Sequence, residues 1–348
     1  MYIGIILLNK IIFIYYKYKK MYYPNFINNS EICDCVYNDN NAYIIIFRCV
    51  QNYIIKLNIN NEICDFESIK CPYKNNTIYI CKNNQYYDNI NISIDDNIHN
   101  IKVSSYPSFE NEIIMSTVVK NEDEYIIQWI EYYKNLGVSR FIIYDNSKNY
   151  IHYWYKSKSN TSNLEKKLKD YLEKKIVILI DWGFTTNFQA TQQHHSIYTF
   201  TKSKYIGLFD IDEYINPQNN ILNLDIIFEN ELMRLNKTRD QIGGFTILCK
   251  LFYNPDNLPE NDYNFFNIFN CDDIVLAGRE KMFVVPKNIK IFGIHRITFG
   301  LNEIRMDKTQ IYFNHYFFLN KESRGREKKI LQDDSIKKIT NLFFEVKS

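Results

Sequence analysis

A chain of 348 residues is long enough for one or two domains and a sizeable core. Its 42 Lys and Arg nearly cancel 40 Asp and Glu, and a net charge of +2 excludes a protein that grips nucleic acid through a general basic surface. A hydrophobic share of 46% excludes wholesale disorder, and the wealth of Ile, Asn, Lys and Tyr against 10 Gly is the composition of an AT-rich coding sequence, such as that of a large DNA virus or a protist.

Residues 1–20 form an apolar N-terminal segment that Asn9 and Lys10 interrupt and Lys17, Lys19 and Lys20 close. It falls short of the roughly 20 apolar residues of a membrane-spanning helix. A weak anchor, an extension upstream of Met21 and a buried strand all remain open. An anchor would imply a Golgi-type lumen; otherwise the cytoplasm of an infected host, or a virion, suits the composition.

Residues 21–106 read as a small β-rich domain. Apolar runs at 43–47, 53–59, 77–81 and 90–94 are rich in β-branched and aromatic residues and separated by Asn/Asp clusters. Six cysteines crowd here, Cys33, Cys35, Cys49, Cys64, Cys71 and Cys81, without any C-x-x-C pair. That spacing argues against a zinc ribbon and leaves disulfides and buried thiols as equal alternatives.

Residues 107–326 alternate strand with helix. A buried strand at 113–119 precedes a helix at 122–136, where Tyr125, Trp129, Tyr132, Tyr133 and Leu136 recur at helical spacing and Gly137 is the stop. Strands at 141–144, 176–180 and 205–209 follow, with a Lys-rich exposed helix at 164–175 and a second helix at 188–201 between them. The strands end on Asp145, Asp181 and Asp210. This is an α/β protein with an open sheet, whose ligand site lies beyond the carboxyl edge. Residues 327–348 are a tail expected to be helical.

Asp210-Ile211-Asp212-Glu213 carries the chemistry. Alternate residues leaving the buried strand send Asp210 and Asp212 to one side, where hard oxygen ligands can share a divalent cation such as Mn²⁺ or Mg²⁺. The late histidines, His315 first and His295 second, are candidates for a third ligand. His194 and His195 are adjacent on a helix and do not point at one centre.

The order of Val119-Lys120-Asn121-Glu122, Leu136-Gly137-Val138, Tyr144-Asp145-Asn146, Gln189, Asp210-Ile211-Asp212-Glu213, Lys281, Gly293-Ile294-His295 and Asn314-His315-Tyr316 resembles glycosyltransferase family 92 and the wider family-2-like transferases. The resemblance covers about residues 116–326. It implies a GT-A fold, a Rossmann-like open mixed sheet flanked by helices, preceded here by the small β-rich domain. It implies an inverting transfer of a sugar from a UDP-sugar donor to a glycan or glycoprotein acceptor. UDP-galactose is favoured, with UDP-glucose and UDP-N-acetylglucosamine fitting the same residues. Donor contacts carry over to Lys120, Asn121, Glu122, Asp145, Asn146, Gln189, Asp210 and Lys281, and metal contacts to Asp210, Asp212 and His315. Where relatives place a further acid after the second strand, Ser147-Lys148-Asn149 supplies none. The catalytic base is sought in the 253–263 loop, at Asp256 or Glu260. A glycan-binding or virion surface protein on the same fold and a nucleotidyltransferase are the competing classes. No nucleic-acid partner is expected, and membrane association rests on the N-terminal segment alone.

Overall fold

β-Branched runs bounded by Asn and Asp become strands among the described residues between 32 and 102. The computed structural model describes residues 21–22, 32–38, 40–48, 55–59, 62–70, 76–94, 97–120, 124–147, 163–182, 188–252, 270–272, 275–316 and 330–344. The readings on residues 1–20, Cys49, Cys71, Asn121, Glu122, Asp256 and Glu260 lie outside these residues.

After β1 (Met21–Tyr22) come β2 (Ile32–Asn38), β3 (Ala42–Arg48), β4 (Ile55–Ile59), β5 (Glu62–Cys64), β6 (Glu67–Lys70), β7 (Asn76–Lys82), β8 (Asn89–Ile94) and β9 (Asn97–Lys102). They form two four-stranded antiparallel sheets, β2-β3-β7-β6 and β5-β4-β8-β9. Strand periodicity divides β3 between two cores. Tyr43 and Ile45 meet Ile90, Ile92 and Ile101 of the other small sheet. Ala42, Ile44 and Ile46 face the opposite way, onto Ile114, Ile142 and Ile178 of the large sheet. Cys35, Cys81, Cys249 and Cys271 are buried thiols outside any disulfide.

The large sheet begins with β10 (Ile113–Val119), α1 (Ile126–Asn135), β11 (Arg140–Asp145), α2 (Leu164–Lys167), α3 (Lys169–Glu173), β12 (Val177–Asp181), α4 (Phe188–Thr199) and β13 (Tyr205–Leu208). Gly137, at φ 92°, takes the left-handed position that ends α1. The single helix expected at 164–175 is divided: Leu164 and Leu168 turn inward and are buried, a turn at Leu168 separates α2 from α3, and the lysines stay exposed. β1, β12, β11, β10 and β13 lie side by side, all parallel. Strands covered on both faces read as unbroken apolar runs, which is why 113–119 and 141–144 show no alternation.

The rest is mixed. β14 (Glu213–Pro217), α5 (Leu224–Arg234), β15 (Gly244–Phe252), β16 (Asn270–Asp272), β17 (Leu276–Val284), β18 (Ile289–Phe292), β19 (Ile297–Gly300), β20 (Glu303–Arg305), β21 (Ile311–Tyr316), β22 (Ile330–Gln332) and α6 (Ser335–Phe344) complete the chain. β17 pairs antiparallel with both β13 and β15, while β21 runs parallel to β15 and antiparallel to β14. The result is a mixed α/β architecture. No helix among the described residues is long and apolar enough to cross a membrane.

A buried polar group ties the N-terminal strands to α4. Asp34, with no exposed surface, accepts from the Cys35 backbone (2.8 Å), the Ser104 hydroxyl (2.8 Å), the Tyr106 hydroxyl (2.9 Å) and His195 Nε2 (3.1 Å). His195 Nδ1 lies 2.7 Å from the Tyr144 hydroxyl, in the middle strand of the parallel set. Removing one partner from such a group leaves the others buried and unpaired. Asp34→Ala is therefore expected to cost about 3–5 kcal/mol of unfolding free energy in urea. A cost under about 1 kcal/mol would show that the two parts of the molecule do not depend on this contact.

Candidate active site

The carboxyl edge of the parallel strands gathers polar residues from successive loops. Lys120 follows β10, Asp145 and Asp181 close β11 and β12, and Asp210 lies just past β13. β17 runs antiparallel to β13, with Met282 opposite Leu208, so its residues before Met282 overhang the same edge. Lys281 and Glu280 arrive there from the opposite direction.

Asp210 to Glu213 is not a continuation of the strand. The Glu213 amide donates to the Asp210 carbonyl at 3.2 Å, closing a turn, and the Asp210 amide donates to Glu213 Oε2 at 2.9 Å. The two aspartates consequently meet different partners, which corrects the expectation of a same-side pair along a strand. Lys281 Nζ lies 2.6 Å from Asp210 Oδ2 and 3.0 Å from Glu213 Oε2, and Gln189 Nε2 donates to Asp210 Oδ1 at 3.1 Å. Asp212 turns instead to His315, whose Nε2 is 3.4 Å from Asp212 Oδ2 and whose Nδ1 is 3.6 Å from Glu213 Oε1.

Strand register explains this meeting. β14 opens at Glu213 and pairs with β21 so that Glu213 stands opposite His315, and the Tyr316 amide donates to the Asp212 carbonyl at 2.9 Å. Directly opposed residues on an antiparallel pair share a face. Ligand atoms of Asp212, Glu213 and His315 all lie within 4.8 Å of one another. Glu213 had no role of its own in the sequence reading; its place in Asp-x-Asp-Glu was the available signal.

Helix α1 holds the turn from behind. Trp129 Nε1 donates to the Asp210 carbonyl (3.1 Å), the Tyr133 hydroxyl to the Glu213 carbonyl (3.0 Å) and the Tyr132 hydroxyl to the Ile215 carbonyl (2.5 Å). All three rings are fully buried. Helical spacing identified them as core, but a buried Trp or Tyr also needs a partner for its polar end, and here the partners are carbonyls of the acidic turn and of β14 just beyond it.

Other sequence candidates are more dispersed. Asp145 is buried at the end of β11, where its carboxylate accepts from the Ser147 amide at 3.0 Å. Asn146 is buried beside it and donates its side-chain amide to the Trp182 carbonyl. Lys120 is half-buried at the edge. His295 stands apart from the metal-ligand group and donates from Nδ1 to the Glu280 carbonyl at 3.0 Å.

The charges are strongly coupled. Burial opposes the Lys281 ammonium, but Asp210 and Glu213 outweigh burial and raise its pKa above the ordinary lysine value. Burial by itself would raise the Asp210 carboxyl, yet the charge and hydrogen bond of Lys281 hold it below its ordinary range. Glu213 is pushed up to about 7 by burial; Lys281 opposes the rise and the Asp210 charge adds to it. Burial would lower His315, and the Asp212 carboxylate reverses this, with Cys249 and Glu213 adding, so its pKa stands well above the usual imidazole value. An imidazole raised in this way marks a locus of negative potential, where a cation competes with that proton.

Lys281→Met leaves Asp210 and Glu213 facing each other without their cation. The expected loss at pH 7 is about 3–5 kcal/mol in urea unfolding. The Asp210 pKa is depressed in the native protein, so its stabilisation is present above the unfolded value and lost as pH falls through the folded one. Without Lys281 the carboxyls take up protons more readily, and the deficit should narrow as pH falls through the carboxylate range. A deficit independent of pH would contradict the pairing.

A sequence profile of glycosyltransferase family 92 matches residues 114–343, well over half of the chain and all of the elements just described. A glycosyltransferase family 92 protein of Ricinus communis is 20% identical over 212 residues, which are 59% of this chain and 35% of that protein. The chain therefore spans about a third of that relative's length. The profile covers the acidic turn, the overhanging lysine and the late histidine strand together, and the chain belongs to glycosyltransferase family 92.

Proposed function

We propose that this chain is a metal-dependent, inverting GT-A glycosyltransferase that moves a sugar from a UDP-sugar, UDP-galactose first, to a glycan or glycoprotein acceptor. The observation that carries the reading is the group of Asp212, Glu213 and His315 beside the Lys281–Asp210 pair, at the carboxyl edge where open α/β sheets bind nucleotides. Two carboxylates and an imidazole are a donor set suited to Mn²⁺, and less fully to Mg²⁺, which prefers oxygen alone. Asp212, Glu213 and His315 would hold the ion, with Asp210 adjacent. A cation held there would supply positive charge against the negative charge that develops as the nucleoside diphosphate leaves.

The chain's own residues supply the remainder. Asp145 ends β11 with Asn146 after it and Lys120 following the paired β10, and these three, with Asn121 and Glu122 carried over from the family resemblance, are the proposed contacts to the nucleoside of the donor. Lys281 and Gln189 fix the Asp210 carboxylate from two sides, so its position toward the donor needs no reorganisation during transfer. Inversion requires a base on the face of the sugar opposite the departing diphosphate, within hydrogen-bond reach of the acceptor hydroxyl. Asp256 and Glu260 are the proposed acids for that role.

A panel of nucleotide sugars with Mn²⁺, scored for released nucleoside diphosphate, tests the reading. Asp212→Asn should abolish release. His315→Ala should weaken the metal by at least about tenfold and be partly recoverable at high Mn²⁺, because both carboxylates remain. An unaltered metal titration in both variants would remove the assignment, and pyrophosphate as product would favour a nucleotidyltransferase. With a verified acceptor, the amide variant of whichever of Asp256 and Glu260 is the base should bind UDP normally and transfer about 10²–10⁴-fold more slowly. Normal transfer by both variants would place the base elsewhere.

A further inference from the structure

The metal-ligand group leaves His295 aside, yet the fold goes to some length to hold this ring at the same edge. Between β18 and β19 the His295 amide donates to the Gly293 carbonyl at 2.8 Å, and the residue between them, Ile294, has φ 69°. This is a γ-turn of the rare, strained hand, carried by a β-branched residue that avoids positive φ. The Gly293 amide donates to the Arg296 carbonyl at 2.8 Å, which closes the turn a second way. Helix α4 braces it: His194 donates from Nδ1 to the Ala190 carbonyl (2.8 Å) and accepts at Nε2 from the Phe292 amide (3.1 Å). Strain of this kind persists where the surroundings over-determine it, and it concentrates at functional sites.

The turn delivers His295 to β17. Its Nδ1 donates to the Glu280 carbonyl, one residue from Lys281, and the ring feels the charges of both Lys281 and Asp210. Nδ1 must carry the proton, because a carbonyl can only accept. Nε2 therefore presents a lone pair and makes no hydrogen bond among the described residues. Burial and the neighbouring Lys281 ammonium lower the ring's affinity for a second proton. A neutral imidazole with an uncommitted acceptor nitrogen repels phosphate oxygens, which have only lone pairs to offer. It is matched to a hydroxyl.

We propose that His295 is a sugar-recognition residue, whose Nε2 accepts a hydrogen bond from a carbohydrate hydroxyl beside the diphosphate subsite. This rests on the UDP-sugar reading above and assigns to it a contact outside the metal-ligand group. The hydroxyl belongs either to the transferred sugar or to the acceptor, and the two are separable. Calorimetry with Mn²⁺ would compare UDP and UDP-galactose binding to wild type, His295→Phe and His295→Gln. A contact with the transferred sugar predicts UDP affinity unchanged, and UDP-galactose affinity weakened about three- to tenfold in the Phe variant, the worth of one neutral hydrogen bond. The Gln variant, which keeps an acceptor oxygen, should recover part of it. If the acceptor supplies the hydroxyl, donor binding is unchanged and KM for the acceptor rises in the Phe variant, again with partial recovery in Gln. Should the Phe variant fail to fold, wild-type behaviour of the Gln variant toward both sugars, with an added His295→Ala that is also normal, overturns the proposal. Equal weakening of UDP and UDP-galactose overturns it too, since that is the signature of a phosphate or general structural role. A wild-type chain that binds UDP but no UDP-sugar removes the donor reading itself, and a chain whose variants alone are indifferent removes only this inference.

Discussion

A lysine ammonium almost wholly removed from water anchors this site, and the arrangement around it follows from that cost. Lys281 is 3% exposed, so it needs opposite charge at contact distance. Two carboxylates supply it, and they come from the two ends of one tight turn, Asp210 and Glu213. Holding both ends on one cation fixes the turn between them, which leaves Asp212 no choice but to project outward toward His315. One buried charge thereby orients three acids and places a fourth ligand-capable group within reach. The buried tyrosines and tryptophan of α1 reinforce the same turn through its carbonyls, so both backbone and side chains are held before any ligand arrives.

The N-terminal strands matter to this site through the sheet rather than by contact. β3 splits its two faces between its own small core and the large one, and Asp34 reaches through to His195 on α4. That helix also carries Gln189 at its start and His194 in its middle, the first gripping Asp210 and the second bracing the turn before His295. A perturbation of the Asp34 group would thus be felt at Asp210 and at the turn before His295 through this one helix. Such coupling needs no hinge; it follows from one helix carrying His195, Gln189 and His194 to three different partners.

The strand ends, the helix before Gly137 and the acidic tetrapeptide were legible in sequence because they depend on local order: apolar runs, helical spacing and a glycine at positive φ. The division of labour inside the tetrapeptide was not. Alternation along a strand predicts Asp210 and Asp212 as a pair, whereas the chain turns at once, and the partner of Asp212 is chosen by the register of β14 against β21, strands separated by about a hundred residues. Register of that kind is set by which faces are buried, a property of the assembled sheet. Asp34 was invisible for the same reason: nothing near it in sequence distinguishes a loop aspartate from one with four hydrogen-bond donors around it.

Histidines show most plainly why residue type alone could not sort the site. His194 is enclosed, uses both ring nitrogens on backbone groups, and burial lowers its pKa to about 4, so it is a neutral strut. His195, its neighbour in sequence, points the other way into the Asp34 group. His315 lies between carboxylates that draw a proton to it, whereas burial, and after it the Lys281 charge, drives a proton off His295. The last two share one edge of one sheet and face opposite electrostatic environments, because Lys281 stands on the side of His295 and Asp212 on the side of His315. A single buried lysine and the acids around it set up that contrast.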